Sequence, residues 1–428
     1  MSLQIATEST IAPEPITSGA DGEGRRSLDR IEVLDVLRGI ALLGMFLVHF
    51  NDKATASDAG WGFTAAYQRG VSLFFEERFW AMFAILFGVG FAVQLRRAEA
   101  RGVGFGPTYA RRLAALAGFG LFAHAVFGFN VLLGYALWGL PLLLVRRWSI
   151  RALVLALFVS ASSWSLFAIA HATYGIATVG EAAYRSERAE TQAANQSFRQ
   201  MNRREQDAAD YRTVFVARLR HMAWFYAQPF SFLPVNTFTL FLIGVIGLRA
   251  GLFDRPAEHE RLIVGLAAFG VASWAVDVWV LTPNWTAPDF TSVRALALAY
   301  LKGGFGLIRG MWLTVAYMGA VLLLASRRPT WVRRLTAFRS TGRMALTVYM
   351  IQIAILDLAF SNYALHISLT PLQALAGGLM LFAFNAAFCG WWLARFRFGP
   401  LEWLWRSITY ARRQPWRGES RPVAAVMR

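Results

Sequence analysis

A chain of 428 residues that is 56% hydrophobic, 14% aromatic and only 16% charged, with a mean hydropathy of +0.41, carries more apolar surface than a soluble core can bury. Its 43 Lys and Arg against 26 Asp and Glu give a net charge of +17, yet no basic module interleaved with aromatics is visible to hold nucleic acid. The single Cys389 excludes a disulfide framework and a cysteine-based metal site. These quantities imply an all-α, polytopic integral membrane protein.

Residues 1–30 are polar, lack a signal-like apolar core, and read as a disordered cytoplasmic tail that is not cleaved. Beyond them ten apolar stretches approach the roughly 20 residues needed to cross a bilayer. They centre on 33–50, 71–95, 113–127, 129–145, 150–174, 232–250, 261–281, 305–325, 344–360 and 371–394, within a membrane domain of residues 31–395. The third and fourth, parted by little more than Gly128, predict a tight helical hairpin. Residues 396–428 read as a basic cytoplasmic tail.

With the amino terminus inside, the inner segments hold 28 bases and the outer ones 12, so the positive-inside rule gives an N-in, C-in orientation. The excess positive charge then faces the anionic headgroups of the inner leaflet, the partner expected in place of nucleic acid. A membrane location with the basic face inward follows. Residues 176–221, rich in Ala, Glu, Gln and Arg up to Pro229, predict an extracytoplasmic helical insertion, either a cap over a site or a plain connector.

Ionisable groups inside apolar spans are costly and mark candidate sites. On the first span Asp35, Arg38 and His49 fall within an arc of about 60°, with His49 eleven residues and about 16 Å beyond Arg38. Asp35 and Arg38 can neutralise one another as an i, i+3 pair, or the guanidinium can hold a phosphate; His49 can be a hydrogen-bonded helix-end residue or a base. Glu76, Glu77 and Arg78 open the second span among Phe74, Phe75, Phe79 and Trp80. His124 and Asn130 are expected at the same depth, so that Glu77 can orient a histidine acting as general base. Ala84, Gly88 and Ala92 mark a close-packing face. Asp277, Arg309 and Asp357 suit either structural pairing or an ion path. His171, His221, His259 and His366 lack metal-ligand spacing, and no metal is expected.

Leu34-Asp35-Val36-Leu37-Arg38-Gly39-Ile40-Ala41 resembles the opening of the YeiB-like bacterial membrane proteins that carry domain of unknown function 418. Leu86-Phe87-Gly88-Val89-Gly90-Phe91, then Gly342-Arg343-Met344-Ala345-Leu346-Thr347 with Tyr349 and Gln352, resemble later motifs of that family. The closing segment Gly399-Pro400-Leu401-Glu402-Trp403-Leu404-Trp405-Arg406 to Tyr410 is the most specific match. The chain departs from the family at His49, where Asn is usual, and at Asn130, where Asp is frequent.

The Asp35–Arg38–Gly39 opening is also similar to that of transmembrane acyltransferases, including the lysosomal heparan acetyltransferases. That similarity implies acyl transfer from cytoplasmic acyl-CoA to an extracytoplasmic glycan hydroxyl. Acyl-CoA would be a co-substrate, with no tightly bound cofactor. Arg38, Arg111 and Arg112 would hold its phosphates, with Asp35, Arg78 and Asn130 beside the bound substrates. His49 or His124, oriented by Glu77, would be the base, and Trp61, Trp80 and Trp285 an aromatic rim for a sugar. The alternative is a transporter or export component for a small amphipathic solute.

Overall fold

The computed structural model describes residues 19–54, 62–129, 131–227, 236–281 and 311–417. Asn130, Trp61, Trp285, Arg309 and Pro229 lie outside them. Helices α1 (Gly19–Asn51), α2 (Phe63–Phe74), α3 (Arg78–Ala100), α4 (Gly106–Phe127), α5 (Val131–Gly139), α6 (Leu142–Val145) and α7 (Ile150–Val179) form the first half. A polar pair, α8 (Glu181–Gln206) and α9 (Tyr211–Ala227), follows. Then come α10 (Asn236–Arg249), α11 (Glu260–Val276) with a π-helical turn at Asp277–Leu281, and α12 (Met311–Arg327). The chain closes with α13 (Pro329–Arg334), α14 (Thr336–Arg343), α15 (Ala345–Phe360), α16 (Pro371–Leu393) and α17 (Pro400–Thr409). Among the described residues there is no strand, only an isolated bridge between Ala54 and Leu369.

Five of the helical segments are long and apolar enough to cross a membrane, and up to seven if each of two bent pairs counts as one. Three shorter apolar helices occupy Val131–Val145, Thr237–Arg249 and Met311–Arg327. The outward faces of α7, α11 and α16 expose Leu155, Phe158, Leu262, Phe269, Met380 and Phe384, an apolar surface that suits lipid and would aggregate in water. These are the features of a helical membrane protein.

Close helix crossings hold the core. The predicted small face of α3 meets α10, where a Cβ on Gly88 would overlap the Phe241 carbonyl and one on Gly244 the Ile85 carbonyl. The same device brings α1 onto α14, since Gly39 lies on the Phe338 backbone and Gly342 on that of Asp35. Such backbone approach gives dispersion contact where lipid offers no hydrophobic driving force.

Several elements differ from the sequence expectation. The helix of α1 starts at Gly19, inside the segment expected to be a disordered tail. The expected second span is interrupted at residues 75–77, where Glu77 takes a left-handed φ of 64°. The fourth breaks at Leu140-Pro141, because proline cannot donate the helical bond. The predicted hairpin forms, with Gly128 ending α4 at φ 80°. Residues 176–221 fold as the end of α7 plus the antiparallel pair α8–α9, tied across by Glu205–Arg220 at 2.6 Å. Within the basic C-terminal segment, α17 packs Leu401 and Trp405 against the core.

Candidate functional site

Helix α15 runs between two polar clusters. At its start α14 and α15 meet at an angle of 86°, because Met344 leaves helical geometry at φ −111°, ψ 32°. The exposed amides of α15 are capped by Glu402 of α17, whose carboxylate accepts from Leu346 N at 2.7 Å, Thr347 N at 3.0 Å and Thr347 Oγ1 at 2.6 Å. Burial pushes the Glu402 carboxyl above the usual carboxylate range, and these donors pull it back. A helix N-terminus favours that negative charge.

Around this junction lie arginines from four helices. Arg38 of α1 donates to Asp35 at 2.6 Å, the i, i+3 pair anticipated from spacing, and lies against Gly90 of α3. Partly buried Arg112 of α4 stacks 4.3 Å over Trp405, whose indole donates to the Arg112 carbonyl, and its Nε has no partner. Arg406 of α17 sits 4.6 Å over Phe398 and feels the charges of Arg38 and Arg112. Arg343 of α14, like Arg406, acts on Asp35 and is exposed. Asp35 is bonded to Arg38 and Glu402 is spent on the helix cap, so the cluster keeps positive charge to spare at an end open to solvent.

Arg111 does not join it. Its Nε donates to the Thr409 carbonyl at 3.1 Å, and the side chain ties α4 to α17 from outside. Sequence reasoning passed over Arg343 and Arg406, although both stand in the quoted motifs. Each was read as part of a family signature, not as a cation.

At the other end of α15 a buried ion pair joins Asp357 to Arg218 of α9 at 2.5 Å, with side chains 5% and 7% exposed. Asp357 also accepts from Ser361 Oγ at 2.8 Å and from the Tyr363 hydroxyl. Arg218 donates to the Val126 carbonyl at the end of α4. Nearby, the Asn362 amide donates to the Asp207 carbonyl at 2.6 Å and Tyr211 packs on Tyr363. Both carboxylate oxygens and both terminal guanidinium nitrogens of the central pair are therefore bonded, which a buried ion pair requires. Asp357 was open to either pairing or an ion path; it is paired. Its partner was hidden in a polar segment expected to lie over the surface, and the only signal was the short apolar run Val214–Ala217 just before it.

Both candidate histidines lie beside this lock. His49 Nδ1 is 3.1 Å from the Gln352 amide on α15, and its ring packs against Phe129 at 5.5 Å. His124 is 2% exposed, lies parallel to His221 of α9 at 5.9 Å, and leaves Nδ1 buried without a partner. Glu77 does not orient either ring. It stands at the α2–α3 break, where Arg78, Glu76 and Asp277 supply its electrostatic surroundings, and it bonds to neither imidazole. Buried Arg78 accepts at its carbonyl from Thr314 and is remote from the arginine cluster in the bonding network. Among the described residues no three His, Cys, Asp or Glu side chains gather as a metal site would need.

Two family matches divide the chain. Residues 30–215 match Heparan-alpha-glucosaminide N-acetyltransferase, catalytic, and residues 248–412 match Protein of unknown function (DUF418). Both clusters straddle that division: Arg38 and Arg112 meet Trp405 and Arg406, while His49 meets Gln352. Uncharacterized protein YxaH of Bacillus subtilis (strain 168) is 29% identical over 417 residues, covering 90% of this chain and 96% of the relative. An uncharacterized 39.9 kDa protein in the amylase 3′ region of Bacillus acidopullulyticus is 29% identical over 404 residues, with the same coverage. Uncharacterized protein YeiB of Escherichia coli (strain K12) is 29% identical over 182 residues, 40% of this chain and 43% of the relative. No solved structure matches. Motifs of both matches thus run in order along one helical chain that is similar to these YeiB-like proteins.

Proposed function

We propose that the protein is a transmembrane acyltransferase that passes an acyl group from cytoplasmic acyl-CoA to a hydroxyl of an extracytoplasmic glycan. It would sit in the bacterial plasma membrane with ten spans and both termini inside, the three short apolar helices and the two bent pairs each serving as one crossing. The observation that carries the reading is the convergence of Arg38, Arg112, Arg343 and Arg406 beside a single bonded carboxylate, in a chain whose first half matches an acetyltransferase.

Arginines bind phosphate through two parallel N–H donors, and four of them from four helices suit the several phosphate groups of CoA. The acyl-bearing arm then follows α1 and α15 toward His49. As placed, the Gln352 Nε2 donates to His49 Nδ1; turning that amide over brings its buried, unpartnered oxygen against Nδ1–H and leaves His49 Nε2 unprotonated, able to take the proton of the acceptor hydroxyl. The oxygen adds to the thioester carbonyl, the C–S bond breaks, and the sulfur leaves with the proton returned by the imidazolium. Such base catalysis contributes about 10² to 10⁴ in rate. His124, with its free Nδ1, is the second candidate for the same role. A solute path is less well served, since Asp357 is already neutralised by Arg218.

The test is calorimetric titration of detergent-purified protein with acetyl-CoA, with free CoA as competitor. Saturable binding that is lost in both Arg38→Ala and Arg406→Ala is expected. Absence of binding to the wild type would overturn the acyl-CoA reading.

A further inference from the structure

A second cationic site lies apart from the cluster just described. A pocket of about 570 Å³ opens between the end of α3, the turn joining α6 to α7, and the loop after α10. Its walls carry Arg96, Arg146, Arg147, Arg249 and Arg255 against only Glu99 and Asp254. Arg96 is paired with Asp254, and Arg255 with Glu258 at 3.0 Å. Arg249 spends its donors on two backbone carbonyls, those of Trp148 at 2.7 Å and Arg146. The guanidiniums of Arg146 and Arg147 have no carboxylate partner among the described residues.

The pocket stands on the far side of α3 from the acyl-CoA cluster. Gly90 faces Arg38, whereas the α3 wall of the pocket is Ala92, Leu95, Arg96 and Glu99, centred about 180° around the helix. Its walls are the ends of apolar helices and the turns that follow them, the level at which a bilayer meets water. Directly beside the unpaired arginines are Leu144, Trp148 and Ile150, which are 77%, 45% and 41% exposed. A polar socket of surplus positive charge bordered by exposed aliphatic groups and an interfacial tryptophan has the two-part chemistry of a phospholipid.

We propose that this pocket binds the phosphate headgroup of an anionic phospholipid, with Arg146 and Arg147 as its charge partners and the acyl chains laid over Leu144, Trp148 and Ile150. The site is independent of the acyl-CoA reading, because it uses none of the same residues. It turns the general attraction of a basic face for anionic lipid into one bound molecule at a defined place.

The experiment is native mass spectrometry of the full-length protein in detergent, incubated with phosphatidylglycerol or with phosphatidylcholine of the same chains. Wild type should retain one phosphatidylglycerol in preference to phosphatidylcholine. Arg146→Gln/Arg147→Gln should lose that preference by roughly 30-fold, at about 1 kcal/mol per removed charge. Arg38→Ala should retain the lipid as wild type does. Since neither mutated side chain bonds within the fold, the melting temperature should be unchanged, which separates lost binding from lost folding. Equal retention of both lipids, or undiminished preference in the double variant, would overturn the proposal. So would displacement of the lipid by glycerol phosphate at equal concentration, which would make the site one for soluble phosphate.

Discussion

The two ends of α15 solve opposite problems with the same side chains. At the Asp357 end one guanidinium meets one carboxylate, both out of solvent, with Ser361, Tyr363 and the Val126 carbonyl taking up the remaining bonds. At the Glu402 end four guanidiniums share a single bonded aspartate and open toward solvent. Balanced, enclosed charge holds a structure together, because removing either partner strands the other; surplus, accessible charge waits for an anion. The ratio of opposite charges, more than their presence in an apolar bundle, separates architecture from binding.

That contrast predicts the largest stability effect at the balanced end. Asp357→Ala leaves Arg218 buried without its counter-ion and should cost about 3–5 kcal/mol. Thermal unfolding in detergent should fall accordingly, and limited proteolysis should cut between α8 and α9 as the hairpin detaches. Replacing both partners, Arg218→Met with Asp357→Leu, should recover most of the loss. A double variant as unstable as the single one would mean that the ion pair is not what docks the hairpin.

Next in size is Glu402→Ala at the other end. It removes three hydrogen bonds from the first turn of α15, worth about 2–3 kcal/mol together, without touching the arginines. Because Glu402 is also among the negative charges near Arg406, acetyl-CoA affinity measured on the folded fraction should rise slightly while the melting temperature drops. Affinity falling in step with stability would show that Glu402 shapes the binding surface itself.

Arg38→Ala should do the reverse. Its guanidinium is part-exposed, and Arg343 and Arg406 still act on the buried Asp35 carboxylate when it is removed, so about 1 kcal/mol of stability is at stake. Acetyl-CoA binding should nonetheless disappear, and the two readouts taken on one preparation separate the roles of the two ends directly. A melting temperature lowered as far as in Asp357→Ala would erase the distinction.

How much of this was legible beforehand follows the range of each interaction. The apolar stretches, the α4–α5 hairpin, the packing face of α3 and the Asp35–Arg38 pair depend on neighbours within a few turns, and spacing alone reveals them. The break at Glu77 and the stop at Pro141 are also local, but a long apolar run masks an interruption of two or three residues. The partnerships of Arg218 with Asp357, of Glu402 with the start of α15, and of Arg112 with Trp405 join residues 139, 55 or more, and 293 positions apart. Nothing in one sequence announces those. Glu77 was assigned to a histidine by expected depth, and depth without azimuth is a weak constraint in a bundle of this many helices.

The smallest effect tests how the hairpin seat responds to acid. His221 of α9 is held below the usual imidazole range, first by burial and then by the charge of Arg199. It is therefore neutral in the docked state, stacked on His124 and flanked by Trp224. In the unfolded chain it takes a proton at its ordinary value near 6.5. The stability it contributes is thus fully present above that value and is lost as pH falls toward the lowered folded one. Between about pH 7 and 5.5, where ordinary carboxylates stay ionised, proteolytic release of α8–α9 should quicken modestly. His221→Phe keeps the stacking surface but cannot charge, so it should flatten that response while leaving the rate at pH 7 near wild type. An unchanged slope would show that protonation of His221 is not what loosens the hairpin in acid.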